Sequence, residues 1–592
     1  MAERFRGGRA VLGIAWRADP RRFVVSLVMA TGGQVMSPLY AVALGWLTDA
    51  VVAGSAPQAR NAVLLYAAVI LGGQLIAVIN LPMRMVMRER TTHAIDRDLV
   101  DLAGRVPGLE HFERAEYADK VELLRASRWQ LAGVPDAIIF NVAVPIQLLV
   151  TAGLLARAHP ALLALPLFGI PILYVGHKTT NRELALQEEL AEDGRVRGHL
   201  FTTALSNQAG KELRVFGLGP TLMRRRDEIW QRMERRNVDV SLQAIGMQTV
   251  AWIVFAVGYI GAVALVATDA IRGRATPGDV VLAISLAAQI RQQLGQLTGM
   301  VTWLLESLKA AARYVWLRDH AREATRRVLP TEPVSPPRRL EDGIRFEGVS
   351  FRYPGTDTDV LRDVDLHIPA GTTVAVVGDN GAGKSTLVKL LARYYEPTSG
   401  QILIDGVDLA SIDVDAWRAG LSAGFQDFVR FELVAREVIA IGDVHNVGEG
   451  DAAVLAALDR ASARGIVDEL TGGLDAQLGK SFEGGAELSG GQWQKLALGR
   501  SMMREDPILL LLDEPTAALD APSEHALFER YAGAARRAAT SSGAVTLLVS
   551  HRFSTVRMAD LILVVDGASI AEAGDHATLM AARGLYAELY EL

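Results

Sequence analysis

No cysteine occurs among the 592 residues. That absence excludes disulfides, thiolate zinc sites, cysteine-held iron–sulfur clusters and any cysteine nucleophile. A surplus of positive charge is missing too. The 61 lysines and arginines face 67 acidic residues, a net charge of −6, which argues against a protein built to grip nucleic acid. Neither an internal repeat nor a low-complexity tract is present. With 50% of residues hydrophobic, general disorder is excluded. That apolar content, at this length and with a mean hydropathy of +0.20, exceeds what one soluble core needs. It points to membrane-embedded segments.

Six apolar stretches lie in the first part of the chain: Phe23 to Leu47, Ala62 to Leu81, Val134 to Ala156, Ala161 to Val175, Gly246 to Ala267 and Val280 to Val301. A bilayer core needs roughly 20 apolar residues as helix, and most of these reach it. Pro160, Pro166 and Pro171 interrupt the fourth, which membrane helices tolerate. The first follows several arginines, but its apolar run is longer than a signal-peptide core and no small-residue cleavage site follows. It reads as a retained anchor. Nine basic residues lie between Arg84 and Arg128, and twelve between Lys178 and Arg236. The other connections are short and nearly uncharged. The positive-inside rule therefore places both long segments, and both termini, in the cytoplasm. These segments read as continuous polar helices extending the spans.

Past Arg322 the composition changes. Pro330, Pro333, Pro336 and Pro337 mark a linker, and short apolar strands then alternate with helical stretches. The strand Thr373 to Val377 runs into Gly378-Asp379-Asn380-Gly381-Ala382-Gly383-Lys384-Ser385, followed by Thr386. This is the G-x-x-x-x-G-K-[ST] pattern. Glycines let the backbone wrap a phosphate, its N–H groups form an anion nest, and a helix begins at its positive end. Lys384 is expected on the β- and γ-phosphates and Ser385 on Mg²⁺. A ligand-free glycine turn is the competing reading, and the flanking strand and helix disfavour it. A second strand, Ile508 to Leu512, ends in Asp513-Glu514. Asp513 suits Mg²⁺ and its waters, and Glu514 suits polarisation of the attacking water. Leu488-Ser489-Gly490-Gly491-Gln492 precedes another helix and offers a second anion site. One nucleotide needs one cradle, so the second points to a nucleotide held by a partner copy.

These motifs resemble ATP-binding cassette proteins over residues 344–592. The spans resemble the membrane domain of ABC half-transporters of the exporter type. The resemblance covers essentially the whole chain. It implies a six-helix transmembrane domain of the type I exporter kind over 1–320, a linker over 321–343, and an α/β P-loop NTPase cassette over 344–592. By resemblance, Tyr353 stacks on adenine and Gln426 senses Mg²⁺ and the γ-phosphate. Ser489, Gly490, Gly491 and Gln492 complete the other subunit's ATP site. Asp520 belongs to the D-loop, where Ala518 replaces the family's usual serine. His551 contacts the γ-phosphate. The implied ligands are ATP and Mg²⁺, with Ser385, Gln426 and Asp513 around the metal and Glu514, His551, Gln426 and Lys384 catalytic.

No motif is degenerate, so a homodimer is the simplest expectation, with a heterodimer still open. Leu109 to Tyr117 and Lys211 to Phe216 resemble coupling helices, and Phe482-Glu483 resembles the loop that joins cassette to membrane domain. The segment around Phe425 to Glu432, with Trp493 and Gln494, resembles bacterial exporters of peptides such as lantibiotics. No peptidase domain precedes the first span, so leader cleavage is not expected. The expected function is ATP-driven transport, chiefly export, of an amphipathic molecule, peptide or lipid across a cell membrane. Siderophore-type import and lipid flipping are the alternatives. Polar span residues, among them Gln289, Gln292 and Gln293, either line a wettable cavity or bond helix to helix.

Overall fold

A computed structural model describes residues 2–206, 209–444, 450–514, 521–550 and 552–591. The chain divides into two compact units. One comprises residues up to Asp101 together with Val121–Arg318; the other comprises Leu102–Lys120 and Asp319–Leu592.

The first unit is helical. Among the described residues, five helices are long and apolar enough to cross a bilayer: Pro20–Val52, Ala56–Gly104, Val134–Ala158, Pro160–Glu189 and Gly219–Ile271. The sixth expected span lies inside helix Pro277–Val328 but falls short of that apolarity, because Gln289, Arg291, Gln292, Gln293 and Gln296 dilute it. At 1.5 Å per residue, the 53 residues of Gly219–Ile271 run about 80 Å, far more than the roughly 30 Å of a hydrocarbon core. The spans do extend beyond a membrane as polar helix. The expected continuity is nonetheless broken, most widely in two places. After Gly104 the chain turns through Pro107 and Gly108 into the short helix Glu110–Glu113, and after Leu205 it passes through Gly210–Val215 before Gly219. Pro107 lies in the first break, and in the second Ser206 is extended (ψ 139°) and left-handed Gly217 (φ +61°) follows the short helix.

Two of the span glutamines act as interhelical ties. Gln289, 5% exposed, donates from Nε2 to the Ser37 carbonyl at 3.2 Å. Gln293 donates from Nε2 to Thr151 Oγ1 at 2.9 Å. Gln292 and Arg291 are exposed.

The second unit holds two sheets. β1 (Gly343–Phe351), β2 (Leu361–Pro369), β4 (Ser399–Ile404) and β5 (Val407–Asp408) form an antiparallel sheet ordered β2-β1-β4-β5. β3 (Thr373–Val377), β6 (Leu421–Gly424), β7 (Leu509–Asp513), β8 (Val545–Val549), β9 (Leu561–Asp566) and β10 (Ser569–Gly574) form the other, ordered β10-β9-β3-β8-β7-β6. It is parallel except for the β9–β10 hairpin. β7 and β8 are buried at every residue, as unbroken Leu and Val runs in a parallel sheet require. The phosphate loop and the Asp513-Glu514 pair leave the carboxyl ends of β3 and β7, two strands apart across β8, where open α/β sheets bind ligands.

Candidate active site

Glycine at three loop positions is dictated by sterics. Gly378 has φ +143° and Gly383 has φ +110°. A Cβ at Gly378 would stand 2.2 Å from the Val565 carbonyl oxygen, and one at Gly383 2.9 Å from that of Val360. Gly381, at φ +84°, needs glycine for its backbone angle alone. The loop delivers Lys384 into the helix Lys384–Leu391. Its Nζ donates to the carbonyls of Gly378 at 2.7 Å and Asp379 at 2.8 Å. Burial lowers the Lys384 pKa, while the charges of Glu514, Asp379 and Asp513 oppose the shift. Ser385 Oγ donates to Asp513 Oδ1 at 3.2 Å. Burial raises the Asp513 pKa, and the Ser385 bond pulls it back.

Glu514 adopts φ +47°, a left-handed backbone rare outside glycine and frequent at functional turns. Its N–H donates to the Val549 carbonyl at 3.1 Å, which turns the side chain off the end of the sheet. There Gln426 Nε2 donates to Glu514 Oε2 at 2.7 Å. Tyr353 packs edge-on against Phe351 and Tyr395, with its hydroxyl 3.2 Å from Thr386 Oγ1.

These groups enclose one cavity of about 610 Å³, lined by Tyr353, Val360, Asn380, Gly381, Gly383, Lys384, Ser385, Thr386, Gln426 and Glu514. Its size suits a nucleotide. Ser489, Gly490, Gly491 and Gln492 do not line it. Ser489 caps helix Gly490–Ser501, its Oγ accepting from the Gln492 N–H while Gln492 Oε1 accepts from the Ser489 N–H. Asp520 and His551 lie outside the described residues. For Mg²⁺, the hydroxyl of Ser385, the carboxylate of Asp513 and the amide of Gln426 are hard oxygen donors of the right kind. No cluster of three His, Cys, Asp or Glu able to hold a metal exists among the described residues. The ion would therefore draw its remaining ligands from phosphate and water.

Three basic residues escaped sequence reasoning because their partners are distant in the chain. Lys389 Nζ lies 4.9 Å from the Tyr353 ring centroid and 3.7 Å from Glu113 Oε1. It therefore links Tyr353 to the short helix Glu110–Glu113. Arg418 donates to the Pro107 carbonyl and, at 2.8 Å, to that of Arg393. Arg393 is itself buried and left-handed (φ +55°), and donates to the Val328 carbonyl at 3.0 Å. Leu109 N–H bonds the Tyr394 carbonyl at 3.2 Å. The first expected coupling segment is thus tied to the nucleotide unit by backbone and charge. The second, Gly210–Val215, buries no residue, and Val215 and Phe216 are exposed. Phe482 is half exposed.

His111 sits in this junction, 3% exposed, against Phe112 and Tyr117. Burial first, then the charge of His320, lower its pKa to about 4, with Glu110 opposing. The unfolded chain, with an ordinary histidine near 6.5, takes up a proton that the folded chain refuses. The contribution of His111 is full above pH 6.5 and is lost as pH falls toward 4. The unfolding temperature of the full chain should fall through that window, and His111→Asn should lose part of the fall. Superimposable pH profiles for variant and parent would contradict this.

The ABC transporter family profile matches residues 361–517. The ATP-dependent lipid A-core flippase of Chromohalobacter salexigens is 31% identical over 427 residues, covering 72% of this chain and 69% of the flippase. That of Methylococcus capsulatus is 32% identical over 428 residues, covering 72% and 67%. That of Xylella fastidiosa strain Temecula1 is 30% identical over 494 residues, covering 82% and 80%. A solved structure of a bacterial Atm1-family ABC exporter with ATP bound matches with a TM-score of 0.77 at 25% identity, covering 97% of this chain and 98% of that one. Identity at this level over two thirds or more of those flippases, on a chain whose phosphate loop and Glu514 share one cavity, shows that it belongs to the ABC transporters, as a multi-pass half-transporter of the exporter and flippase type whose cassette hydrolyses ATP to drive movement across a membrane.

Proposed function

We propose that two identical copies close head-to-tail on two ATP molecules and use their hydrolysis to move a lipid-like amphiphile outward. The observation that carries the dimer is the half-built cavity: Tyr353, the phosphate loop, Gln426 and Glu514 line it, and Ser489 to Gln492 do not. A second copy would bring its Ser489 hydroxyl and the N-terminus of its Gly490–Ser501 helix to the open side. Lys384 neutralises phosphate charge, and Glu514, held by Gln426, polarises the attacking water. Asp520 and His551 complete the machinery by family resemblance. When bound, Mg²⁺ would offset charge on the phosphates, with Ser385, Gln426 and Asp513 as its protein side. The membrane part is read as six spans of the type I kind, with Pro277–Val328 as the sixth. Neighbouring helices cover Gln289 and Gln293, and the partner copy would have to shield the exposed Arg291 and Gln292 from lipid. The cargo class rests on the relatives, whose names specify lipid A-core, and the position is a multi-pass one in a bacterial inner membrane.

The head-to-tail arrangement is tested by mixing two inactive chains, Lys384→Ala and Ser489→Arg. In such a dimer both lesions fall at one site and the other is intact. Each mixed dimer should trap one nucleotide with vanadate, where each variant alone traps none. A mixture that traps none places Ser489 to Gln492 of each chain at its own site.

Arg418 tests the coupling. It lies outside the cavity yet holds Pro107 and Arg393. Arg418→Ala should leave ATP affinity intact and lower amphiphile movement per ATP hydrolysed, by about tenfold for roughly 1.4 kcal/mol of lost positioning. An unchanged transport-to-hydrolysis ratio would contradict the role.

A further inference from the structure

β8 (Val545–Val549) is buried at every residue, yet its second residue is Thr546, 5% exposed. Thr546 and Leu548 lie two apart and point to one face of the sheet. In register, Thr546 pairs with Thr373 of β3 and Leu548 with Leu512 of β7. These four residues make a flat floor under helix Ala521–Ser542. Ala532, Ala535 and Arg536 stand at i, i+3 and i+4 on that helix, so they share one of its faces and make the roof. The two alanines leave a gap there that larger side chains would fill. Thr555, 4% exposed, closes one side with Ala559. What remains is a slot of about 110 Å³.

The slot is polar where a mere packing gap would be apolar. Thr546 and Thr555 both line it, and neither hydroxyl bonds another described residue. Burying such groups without partners is costly, so a bound molecule or water must supply them. At the exposed rim, Arg536 and Asp560 line the same slot without pairing to each other. Asp560 Oδ2 accepts from the Thr373 N–H at 2.8 Å, and Oδ1 accepts from no described residue. A cavity of this size takes one six-membered ring, as engineered cavities of similar size take benzene. The remainder of any occupant must then lie at the rim, between a cation and an anion.

We propose that the slot binds an aromatic α-amino acid with a ring hydroxyl, as its zwitterion. The ring lies between the sheet and the two alanines, against Leu512 and Leu548. Its hydroxyl meets Thr546 and Thr555, its carboxylate meets Arg536, and its ammonium meets Asp560. Both buried hydroxyls and both rim charges then gain partners of the complementary kind. An acid without the ammonium would be repelled by Asp560, and an amine without the carboxylate by Arg536. The slot shares no lining residue with the nucleotide cavity, so it is a second small-molecule site on the cassette. It depends neither on dimer formation nor on lipid translocation.

The test measures binding of L-tyrosine to the purified full-length chain in nanodiscs by equilibrium dialysis. Binding should saturate at one molecule per chain, with Kd on the order of 0.1 mM for a ligand of this size. L-Phenylalanine, which lacks the hydroxyl, and tyramine, which lacks the carboxylate, should each bind on the order of tenfold more weakly. Thr546→Val should erase the difference between tyrosine and phenylalanine. Arg536→Gln should erase that between tyrosine and tyramine. Ala535→Leu should fill the slot and abolish binding. A slot that holds water only will show no saturable binding, which overturns the proposal. It is overturned equally by a preference that survives its matching variant, or by undiminished binding in Ala535→Leu. Displacement of tyrosine by ATP would put the ring in the nucleotide cavity and overturn the second site.

Discussion

Glu514→Gln should still bind ATP and should lose turnover by a factor on the order of a hundred to ten thousand, the usual weight of a positioned base. The substitution keeps shape and removes the charge that we propose polarises water. Gln426 Nε2 can still reach the side-chain oxygen at that position, so the surrounding geometry is expected to persist. Lys384 and the loop backbone, which we propose hold phosphate, are untouched. The result should be a closed dimer with trapped ATP, seen as a stable nucleotide-bound species in size-exclusion or spin-label distance measurements. Brisk hydrolysis by this variant would remove Glu514 from the chemistry.

Gly378→Ala should be nearly as damaging, for a steric reason. Its Cβ would meet the Val565 carbonyl oxygen at 2.2 Å, and β3 and β9 are hydrogen-bonded neighbours, so the strand cannot yield without breaking register. The loop must move instead, at a backbone angle (φ +143°) that a side chain rarely adopts. Displacement of about 1 Å at a phosphate cradle costs on the order of a hundredfold. Equilibrium binding of a fluorescent ATP analogue should fall accordingly, and the unfolding temperature should drop as well. Parental affinity would mean that the cradle is not set by this contact.

The sequence carries the phosphate loop openly because its chemistry needs fixed residue types at fixed spacing. β3 occupies the expected Thr373–Val377, and β7 lies one residue later than expected, at Leu509–Asp513. Interactions that close over long sequence distances left no such trace. Lys389 looked like one more charge on a helix, and only the fold brings it to Tyr353 and Glu113. Arg393 and Arg418 gave no periodic signal either, since their partners are backbone carbonyls at Val328 and Pro107. The insertion of Leu102–Lys120 into the nucleotide unit follows from these contacts and not from composition. Among the span glutamines the sequence left cavity and interhelical bonding open. The structure puts Gln289 and Gln293 in interhelical bonds and leaves Gln292 exposed. The lantibiotic-like segment pointed toward peptide cargo, whereas the flippases quoted above carry a lipid in their names.

The most direct test reconstitutes the purified chain in liposomes with a labelled anionic lipid and follows the label across the bilayer. ATP should drive the label from the leaflet that faces the cassettes to the opposite one, and the Glu514→Gln chain should leave it in place. Hydrolysis that proceeds while the label stays put, or movement as fast in that variant as in the parent, would contradict the account.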